Sequence, residues 1–304
     1  MKGKTVIFLL TVILFAMACN IADLLQNGSE QADLQATLYV MQTQVAEIPQ
    51  TDQEPTLAEE VEPQPEPTAE PSPTAEPEPD FRYEHLSLNY HESLASRLWG
   101  ESIPENLPND QYAYDFAEAQ HIRVNFDDFI ISEHFHTPVI RVYEAVRYQE
   151  ISDYAVENMS LLATLLAARP ENPEFLPFLP LVPAARFYIA QIEYIDFEGG
   201  SGVRYLCQMG QALWPVNNMN LFYTFQGMTD DGQYYIAAML PVNHAELSYD
   251  GSEAGTDWEP YYSEEAWNEY HAQVISDLNG YPPESYQPSL LLFDEMFQSV
   301  RINP

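Results

Sequence analysis

Residues 220–242 read NLFYTFQGMTDDGQYYIAAMLPV, and this stretch decides the fold. Two runs rich in aromatic and aliphatic residues, 220–228 and 233–242, flank the polar segment Thr229-Asp230-Asp231-Gly232. Asp-Gly is a strong turn pair in β-hairpins because glycine adopts the positive φ that the turn requires. The stretch therefore predicts two antiparallel strands joined by a tight turn.

A second hairpin is predicted directly upstream. Residues 187–197 and 203–209 have strand-like composition and flank Glu198-Gly199-Gly200-Ser201-Gly202, a glycine-rich loop. The two hairpins follow each other along the chain, and successive hairpins usually pair as neighbours. Together they predict a four-stranded antiparallel meander.

Further strands and helices surround this meander in the sequence. The pattern predicts an opening strand with a bulge over residues 81–90, a short helix over 93–99, and strands at 121–126 and 139–146. Helices are predicted from a Ser152 or Asp153 cap to Ala168, over 263–279, and from Pro288 to about residue 300. The fold class of domain 81–304 is α+β: an antiparallel sheet, made of the four-stranded meander plus N-terminal strands, with helices packed on it.

The first 18 residues are predicted to be a signal peptide. Lys2 and Lys4 precede an apolar run over residues 6–18, which is short for a transmembrane helix of about 20 residues. The run ends in Ala16-Met17-Ala18-Cys19, which resembles the lipobox of bacterial lipoprotein signal peptides. This resemblance implies cleavage before Cys19, lipid on its thiol, and a chain anchored to the extracytoplasmic face of a cell membrane. The same residues also fit the A-x-A cleavage site of an ordinary secreted protein.

A stalk and a linker are predicted between Cys19 and the domain. Within residues 19–48, Leu34, Leu38, Met41 and Val45 are spaced as one helical stripe, which predicts a short helix capable of weak self-association. Residues 49–80 hold nine of the 24 prolines and no basic residue, a composition typical of disordered linkers. An extended linker of this length spans on the order of 100 Å. It would hold the domain well away from a membrane.

Composition excludes several classes of protein. The chain has 304 residues, with 11 Lys+Arg against 47 Asp+Glu and a net charge of -36, so nucleic acid is not expected as a partner. Hydrophobic residues make up 46% and aromatic residues 13%, which excludes a wholly disordered acidic chain. Two cysteines exclude a disulfide scaffold and a four-cysteine zinc site.

The layout of the chain resembles that of many uncharacterised secreted bacterial lipoproteins. The resemblance lies in the lipobox-like segment, the Pro/Glu-rich linker, and a C-terminal domain with FRYEHLSLNY at its start and LLLFDEMFQSVRI at its end. The order of elements is also similar to the PsbP and Mog1-like α+β sandwich, in architecture alone. That second resemblance implies a binding or assembly module rather than an enzyme.

Two segments are candidate metal sites. His134 and His136 are two residues apart, so an extended backbone would place both imidazoles on one side, where zinc could bind. The loop over residues 246–259 contains Asp250, Glu253 and Asp257 and no basic residue, as calcium-binding loops do, although it does not match an EF-hand. Surface histidines and a solvated acidic loop fit the same patterns. No cofactor other than calcium or zinc is suggested.

Aromatic residues of the meander are candidate ligand-binding residues. Trp214, Tyr223 and Tyr235 could stack on a ligand if they point outward, and core packing is the alternative. Cys207, in a predicted strand, is expected to be a buried structural cysteine, because nothing nearby in sequence would activate it.

The sequence predicts a membrane-anchored extracytoplasmic lipoprotein that presents an acidic α+β domain to an unknown protein or small ligand. No catalytic residue is assigned, because the sequence contains no P-loop, no G-x-G-x-x-G and no G-x-S-x-G. One alternative is a tethered secreted hydrolase, with or without a metal. Another is a structural protein of the cell envelope that associates through the stalk.

Overall fold

The computed structural model describes residues 78–107, 116–255 and 257–303. Its longer helices are α1 (Ala145–Ile151), α2 (Asp153–Ala168), α3 (Glu264–Gly280) and α4 (Leu290–Gln298). Its strands are β1 (Phe81–Tyr83), β2 (Leu86–Leu88), β3 (Arg97–Ile103), β4 (His121–Asp127), β5 (Val139–Glu144), β6 (Ala185–Arg186), β7 (Ala190–Phe197), β8 (Gly200–Cys207), β9 (Met209–Gly210), β10 (Phe222–Thr229), β11 (Tyr234–Pro241) and β12 (Arg301–Ile302).

One large antiparallel sheet organises the described residues. Its strand order is β3-β4-β5-β11-β10-β8-β7. The predicted four-stranded meander is confirmed as β7-β8-β10-β11, and the N-terminal strands extend it because β5 pairs with β11. The predicted α+β class is thus confirmed. No helix in the described residues combines the length and the apolar character needed to cross a bilayer.

Strand β10 lies in the middle of the sheet and is buried on both faces. Tyr223 and Phe225 point to one face, while Phe222, Thr224 and Gln226 point to the other, and all five are fully buried. A strand covered on both faces has no solvent side that would call for charged residues. This explains why residues 222–226 contain no charged residue.

The first face of the sheet is covered by α4, α3 and the β1–β2 hairpin. Phe297 of α4 stacks on Phe225 with ring centroids 4.2 Å apart, and Phe293 packs against Tyr223 at 5.0 Å. Each such aromatic pair removes a large apolar area from water. The C-terminal helix is therefore part of the core.

The second face is covered by α1, α2 and the segment before β6. Asn158 of α2 accepts a hydrogen bond from the Phe178 backbone N–H at 2.9 Å, and Gln226 of β10 accepts one from that of Leu179 at 2.8 Å. Buried backbone N–H groups need such partners, because an unpaired one is costly. The two amides thus fix an irregular segment against the sheet.

Helices α2 and α3 begin directly after their predicted N-cap residues. Ser152 accepts a hydrogen bond from the Ala155 N–H at 3.2 Å and begins α2, and Ser263 accepts one from Ala266 at 3.2 Å and begins α3. The last helix begins at Leu290 after its cap Ser289, two residues later than predicted.

Two expectations for the N-terminal part are wrong. Residues 81–90 form the β1–β2 hairpin rather than one bulged strand, because Glu84 takes a φ of 48° and reverses the chain. The predicted helix over 93–99 is replaced by a turn and the start of β3. Trp99 of β3 donates to Asp127 of β4 at 2.9 Å, and Arg97 donates to the same carboxylate at 2.7 Å. Pairing with β4 overrides the local helical pattern.

The glycine-rich loop is shorter than predicted. Strand β8 begins at Gly200, so the turn is confined to Glu198 and Gly199. A Cβ atom on Gly202 would lie 2.3 Å from Cζ of Phe225 and 2.8 Å from the Gln226 carbonyl oxygen. This glycine therefore allows the close packing of Phe225 over β8 instead of forming a turn.

Candidate functional site

A surface groove of about 450 Å³ is the strongest candidate for a binding site in the described residues. We call it the aromatic groove; it is lined by Trp214, Pro215, Gly251, Ser252, Ala254, Gly255 and Tyr262. The Trp214 side chain is 41% exposed and that of Tyr262 is 77% exposed. Large rings left in water at a concave surface are typical of sites that contact a ligand.

The Trp214 wall of the groove is held from below by buried amides. The Pro215 carbonyl oxygen accepts hydrogen bonds from the side chains of Asn217 at 2.7 Å and Gln208 at 3.2 Å. The indole N–H of Trp214 donates to the Asp250 carbonyl oxygen at 2.6 Å. The ring is therefore fixed by its polar edge.

Two glycines shape the opposite wall. Gly251 and Gly255 have φ values of 77° and 70°, at either end of the short 3-10 helix Ser252–Ala254. A Cβ atom on Gly251 would lie 3.0 Å from Nε1 of Trp214 and 3.1 Å from Cβ of Pro215. Glycine at this position is therefore required twice, for the backbone conformation and for the close approach of the loop to the indole.

The segment of the chain that contains every lining residue of the aromatic groove is acidic. Residues 205–300 contain fourteen Asp and Glu and no Lys or Arg. Glu253 lies between two lining residues and is exposed, as are Asp257 and Glu259. Hydrogen bonds from Ser252 lower the pKa of Asp250, so its carboxyl is ionised at neutral pH. The loop that forms one wall of the groove therefore carries exposed carboxylates and no basic residue.

Of the three predicted aromatic ligand-binding residues, two do not reach the surface. Tyr223 and Tyr235 are fully buried, which is the core-packing alternative, so neither can stack on a ligand as the ligand-binding prediction required. The Tyr223 hydroxyl donates to Asp294 at 3.1 Å and the Tyr235 hydroxyl donates to Gln226 at 2.6 Å. Helices cover both faces of the sheet, which an alternating pattern in one strand could not reveal.

The predicted zinc ligands have other partners. His134 donates from Nε2 to the Leu221 carbonyl oxygen at 2.8 Å, and its Nδ1 accepts the His136 backbone N–H at 2.9 Å. Both ring nitrogens of His134 are thus occupied, which leaves no lone pair for a metal. The His136 ring packs edge-on against Phe222, 4.7 Å between centroids, and burial lowers its pKa to about 4. The pair has a structural role in this geometry.

The predicted calcium ligands Asp250, Glu253 and Asp257 do not converge either. Within residues 78–107, 116–255 and 257–303, no group of three or more His, Cys, Asp or Glu side chains is close enough to hold a metal ion. The Asp250 side chain instead accepts the Ser252 backbone N–H at 2.9 Å. The acidic loop is organised by its own hydrogen bonds.

Cys207 is a fully buried free cysteine, as predicted. Burial raises the pKa of its thiol well above the usual range, which disfavours the reactive thiolate. Cys19, the predicted lipid attachment site, lies outside the described residues, as do the predicted signal peptide and stalk.

Sequence patterns did not predict a charged cluster around Glu118. The Glu118 carboxylate accepts a hydrogen bond from the Tyr143 hydroxyl at 2.5 Å and lies 3.4 Å from Nε of Arg141 and 3.6 Å from Nε2 of His121. Arg141 stands directly opposite Arg123 in the β4–β5 ladder. Two arginines within predicted strands were the available signal, because like charges in register need anions beside them.

A second, smaller concavity of about 290 Å³ lies at the turn of the β1–β2 hairpin. Its lining includes Glu105 and Arg147, and Arg147 already pairs with Glu105 at 2.9 Å and with Glu150 at 3.0 Å. Glu84 and Glu144 also line the cleft, so its lining is acidic on balance even with Arg147 paired.

No family model, no curated protein and no solved structure matches this chain.

Proposed function

We propose that this chain is a membrane-anchored extracytoplasmic lipoprotein whose α+β domain is a binding module. In this proposal residues 1–18 are the signal peptide, Cys19 carries the lipid, and residues 49–80 are the spacer that holds the domain away from the membrane. The lipobox-like segment and the proline-rich composition support the anchor. The aromatic groove is the observation that supports binding.

Two exposed aromatic rings at the groove carry an unfavourable free energy of hydration that a ligand could remove. Trp214 and Tyr262 leave apolar area in water at the same concave surface, at a cost of roughly 25 cal/mol for each Å² that a ligand could cover. The hydrogen bond from the indole N–H to the Asp250 carbonyl oxygen fixes the indole in that exposed position. A preformed wall loses little entropy when a ligand binds, which is the property expected of a binding module.

Phase partitioning tests the anchor. The full chain, produced in cells that process lipoproteins, is expected in the detergent phase of Triton X-114, with an N-terminal mass that includes a diacylglyceryl group on Cys19. Cys19→Ser is expected in the aqueous phase, and Cys207→Ser, which removes the buried thiol, serves as the matched control. An unmodified Cys19 or a retained signal peptide in the wild-type chain would contradict the proposal.

Fluorescence tests the groove as the binding site. Binding of a ligand there is expected to change the emission of Trp214, so the change should disappear in Trp214→Phe. Trp99→Phe is the matched control, because Trp99 is exposed to a similar degree, 37%, but lies on β3 and does not line the groove. A ligand whose signal survives Trp214→Phe and is lost in Trp99→Phe would place the binding site elsewhere.

Self-association through the stalk is a separate part of the proposal. Light scattering of the full chain and of a chain lacking residues 20–48 measures it directly. A larger particle for the full chain alone supports the stalk as the contact, and equal monomeric masses would contradict it.

A further inference from the structure

We propose that strand β3 binds the same strand of a second copy of this chain, which continues the large sheet in antiparallel pairing. In this dimer Trp99 lies at the two-fold axis, and Arg97 of each copy stands opposite Glu101 of the other. The inference goes beyond the proposed function, because it depends on neither the lipid anchor nor the aromatic groove. It is carried by the open edge of β3 and by the order of residues along that edge.

Strand β3 is an edge of the seven-stranded sheet. Its residues, Arg97–Ile103, pair with β4 in one continuous register without a bulge. In an antiparallel ladder every second residue points its backbone N–H and C=O to the other side of its strand. Within the described part of the chain, nothing hydrogen-bonds to the backbone of β3 on that outer side. Such a row of unpaired backbone groups is a template for a further strand.

The opposite edge of the sheet, strand β7, is blocked. A bulge lies between Ala190 and Glu193, where Gln191 takes a φ of 55°. The Gln191 N–H donates to Asn279 of α3 at 2.6 Å, and its carbonyl oxygen accepts a hydrogen bond from Arg204. Bulges and covered backbone groups are the devices that prevent pairing between sheet edges. Strand β3 has neither device, so it is the edge at which this sheet can be extended.

One face of β3 is covered, and this leaves its outer edge open. A Cβ atom on Gly100 would lie 2.2 Å from Cγ of Tyr83 on β1. Because side chains stand out of the plane of a sheet, Tyr83 lies above β3 and not beside it. The opposite face of the strand carries Arg97, Trp99 and Glu101, two residues apart. Trp99 is 37% exposed, and the side chains of Arg97 and Glu101 are 68% and 37% exposed.

The order of these three residues is complementary to itself. In antiparallel pairing about Trp99, the residue two positions before the axis stands opposite the residue two positions after it. Two Arg97–Glu101 pairs therefore form by symmetry and flank a Trp99–Trp99 pair. Opposite charges and aromatic rings directly across two strands stabilise their pairing. An axis at Arg97 or at Glu101 would place like charges opposite each other, and an axis at Gly100 would form no ion pair.

Both charged side chains have atoms left for a second copy. Arg97 binds Asp127 through Nε and Nη2, and its Nη1 has no hydrogen-bond or ion-pair partner among the described residues. Glu101 uses Oε1 for Asn125 and Arg123, and its Oε2 has no such partner in the same part of the chain. The contacts within the chain hold both side chains in place, so pairing costs little side-chain entropy.

Sedimentation equilibrium in excess detergent measures the association, for the full chain and for a chain lacking residues 20–48. The shorter chain has no stalk, so its mass reports contacts made by the rest of the molecule. We expect this mass to rise from monomer towards dimer between about 1 µM and about 200 µM, as for a small, transient interface.

Charge reversal locates the contact. In the dimer Arg97→Glu places two carboxylates opposite each other, and Glu101→Arg places two guanidinium groups there. Each variant alone is expected to dimerise at least about tenfold more weakly. In an equimolar mixture of the two variants every cross-strand pair again has opposite charges, so dimers should return, which also shows that both variants are folded.

Asp196→Arg is the matched control for these reversals. Asp196 is an exposed carboxylate on the blocked edge strand β7 and pairs with Arg169, as Glu101 pairs with Arg123 on β3. This variant is expected to dimerise like the wild-type chain.

Four results would overturn the inference. The chain lacking residues 20–48 stays monomeric over the whole range, so no second copy binds β3. Its dimers persist in both charge-reversed variants, so the contact lies elsewhere. The mixture does not restore dimers, so Arg97 does not meet Glu101. Dimers form only when residues 20–48 are present, which would support the stalk contact of the proposed function instead, so the failures of the two proposals are distinguishable.

Discussion

A buried ion pair joins the sheet to the C-terminal helix, and breaking it is expected to destabilise the domain strongly. Nε of Arg204 on β8 lies 3.3 Å from Oδ1 of Asp294 on α4, with side chains only 4% and 10% exposed. A second contact joins Nη2 to Oδ2 at 3.4 Å. The prediction concerns Arg204→Met, which keeps the length of the side chain and removes its charge.

The magnitude follows from the distance and the burial. At 3.3 Å and an effective dielectric constant of about 20, the attraction between the two charges is about 5 kcal/mol. Removing one partner of a buried pair costs about 3–5 kcal/mol, because the other charge remains buried without compensation. Arg204→Met and Asp294→Asn are each expected to lose this much. In the double variant no charge is left, so its loss should be smaller than the sum of the two by about 2 kcal/mol or more.

Urea unfolding of the full chain in detergent, followed by tryptophan fluorescence, measures these losses. With an m-value of about 2–3 kcal/mol per M, a loss of 3 kcal/mol shifts the midpoint by about 1–1.5 M. Arg97→Met, which breaks the exposed pair with Asp127, is the matched control and should cost less than about 1 kcal/mol.

The pH dependence of Arg204→Met provides an independent check. Burial raises the pKa of Asp294, and losing Arg204 raises it further, since the arginine favours the ionised carboxyl. A carboxyl whose pKa is higher in the folded state than in the unfolded state destabilises the fold as pH rises. The penalty of Arg204→Met is therefore expected to shrink on acidification. Additive single variants, or a penalty independent of pH, would refute the reasoning.

Three further predictions follow from burial and backbone geometry. Burial lowers the pKa of His136 to about 4, so the folded state favours the neutral ring. The free energy of unfolding should therefore fall by up to about 3 kcal/mol as the pH drops from 6.5 to 4. Urea titrations at each pH measure this slope, and His136→Phe should flatten it. Gly251→Ala should cost about 1–3 kcal/mol more than Gly255→Ala in thermal unfolding. Both glycines have positive φ, but only at Gly251 would the added methyl group meet another residue. Equal losses would contradict this packing argument. Cys207 should resist a thiol reagent in the folded chain and react at once in urea, because burial raises its pKa; rapid labelling of the native chain would show that the strand opens.

Sequence patterns did not predict the candidate site. Trp214 and the loop at Gly251 are more than thirty residues apart, and only tertiary contacts, such as the hydrogen bond from the indole to Asp250, bring them into one groove. Tyr223 and Trp214 look alike in the sequence as aromatics of one meander, yet one is in the core and the other at the surface. The difference depends on α4, whose phenylalanines cover Tyr223.

The sequence by itself determined the features that depend on neighbours along the chain. The Asp-Gly turn at residues 231–232, the serine caps of α2 and α3, and the alternation within the meander are local, since each is a matter of backbone geometry over a few residues. Tertiary structure alone decided that helices cover both faces of the large sheet. It also decided that residues 97–103 form a strand against β4, and that Arg204 pairs with Asp294, ninety residues away. These depend on contacts between distant segments, whose free energy is set by burial and pairing in three dimensions and leaves no period in the sequence.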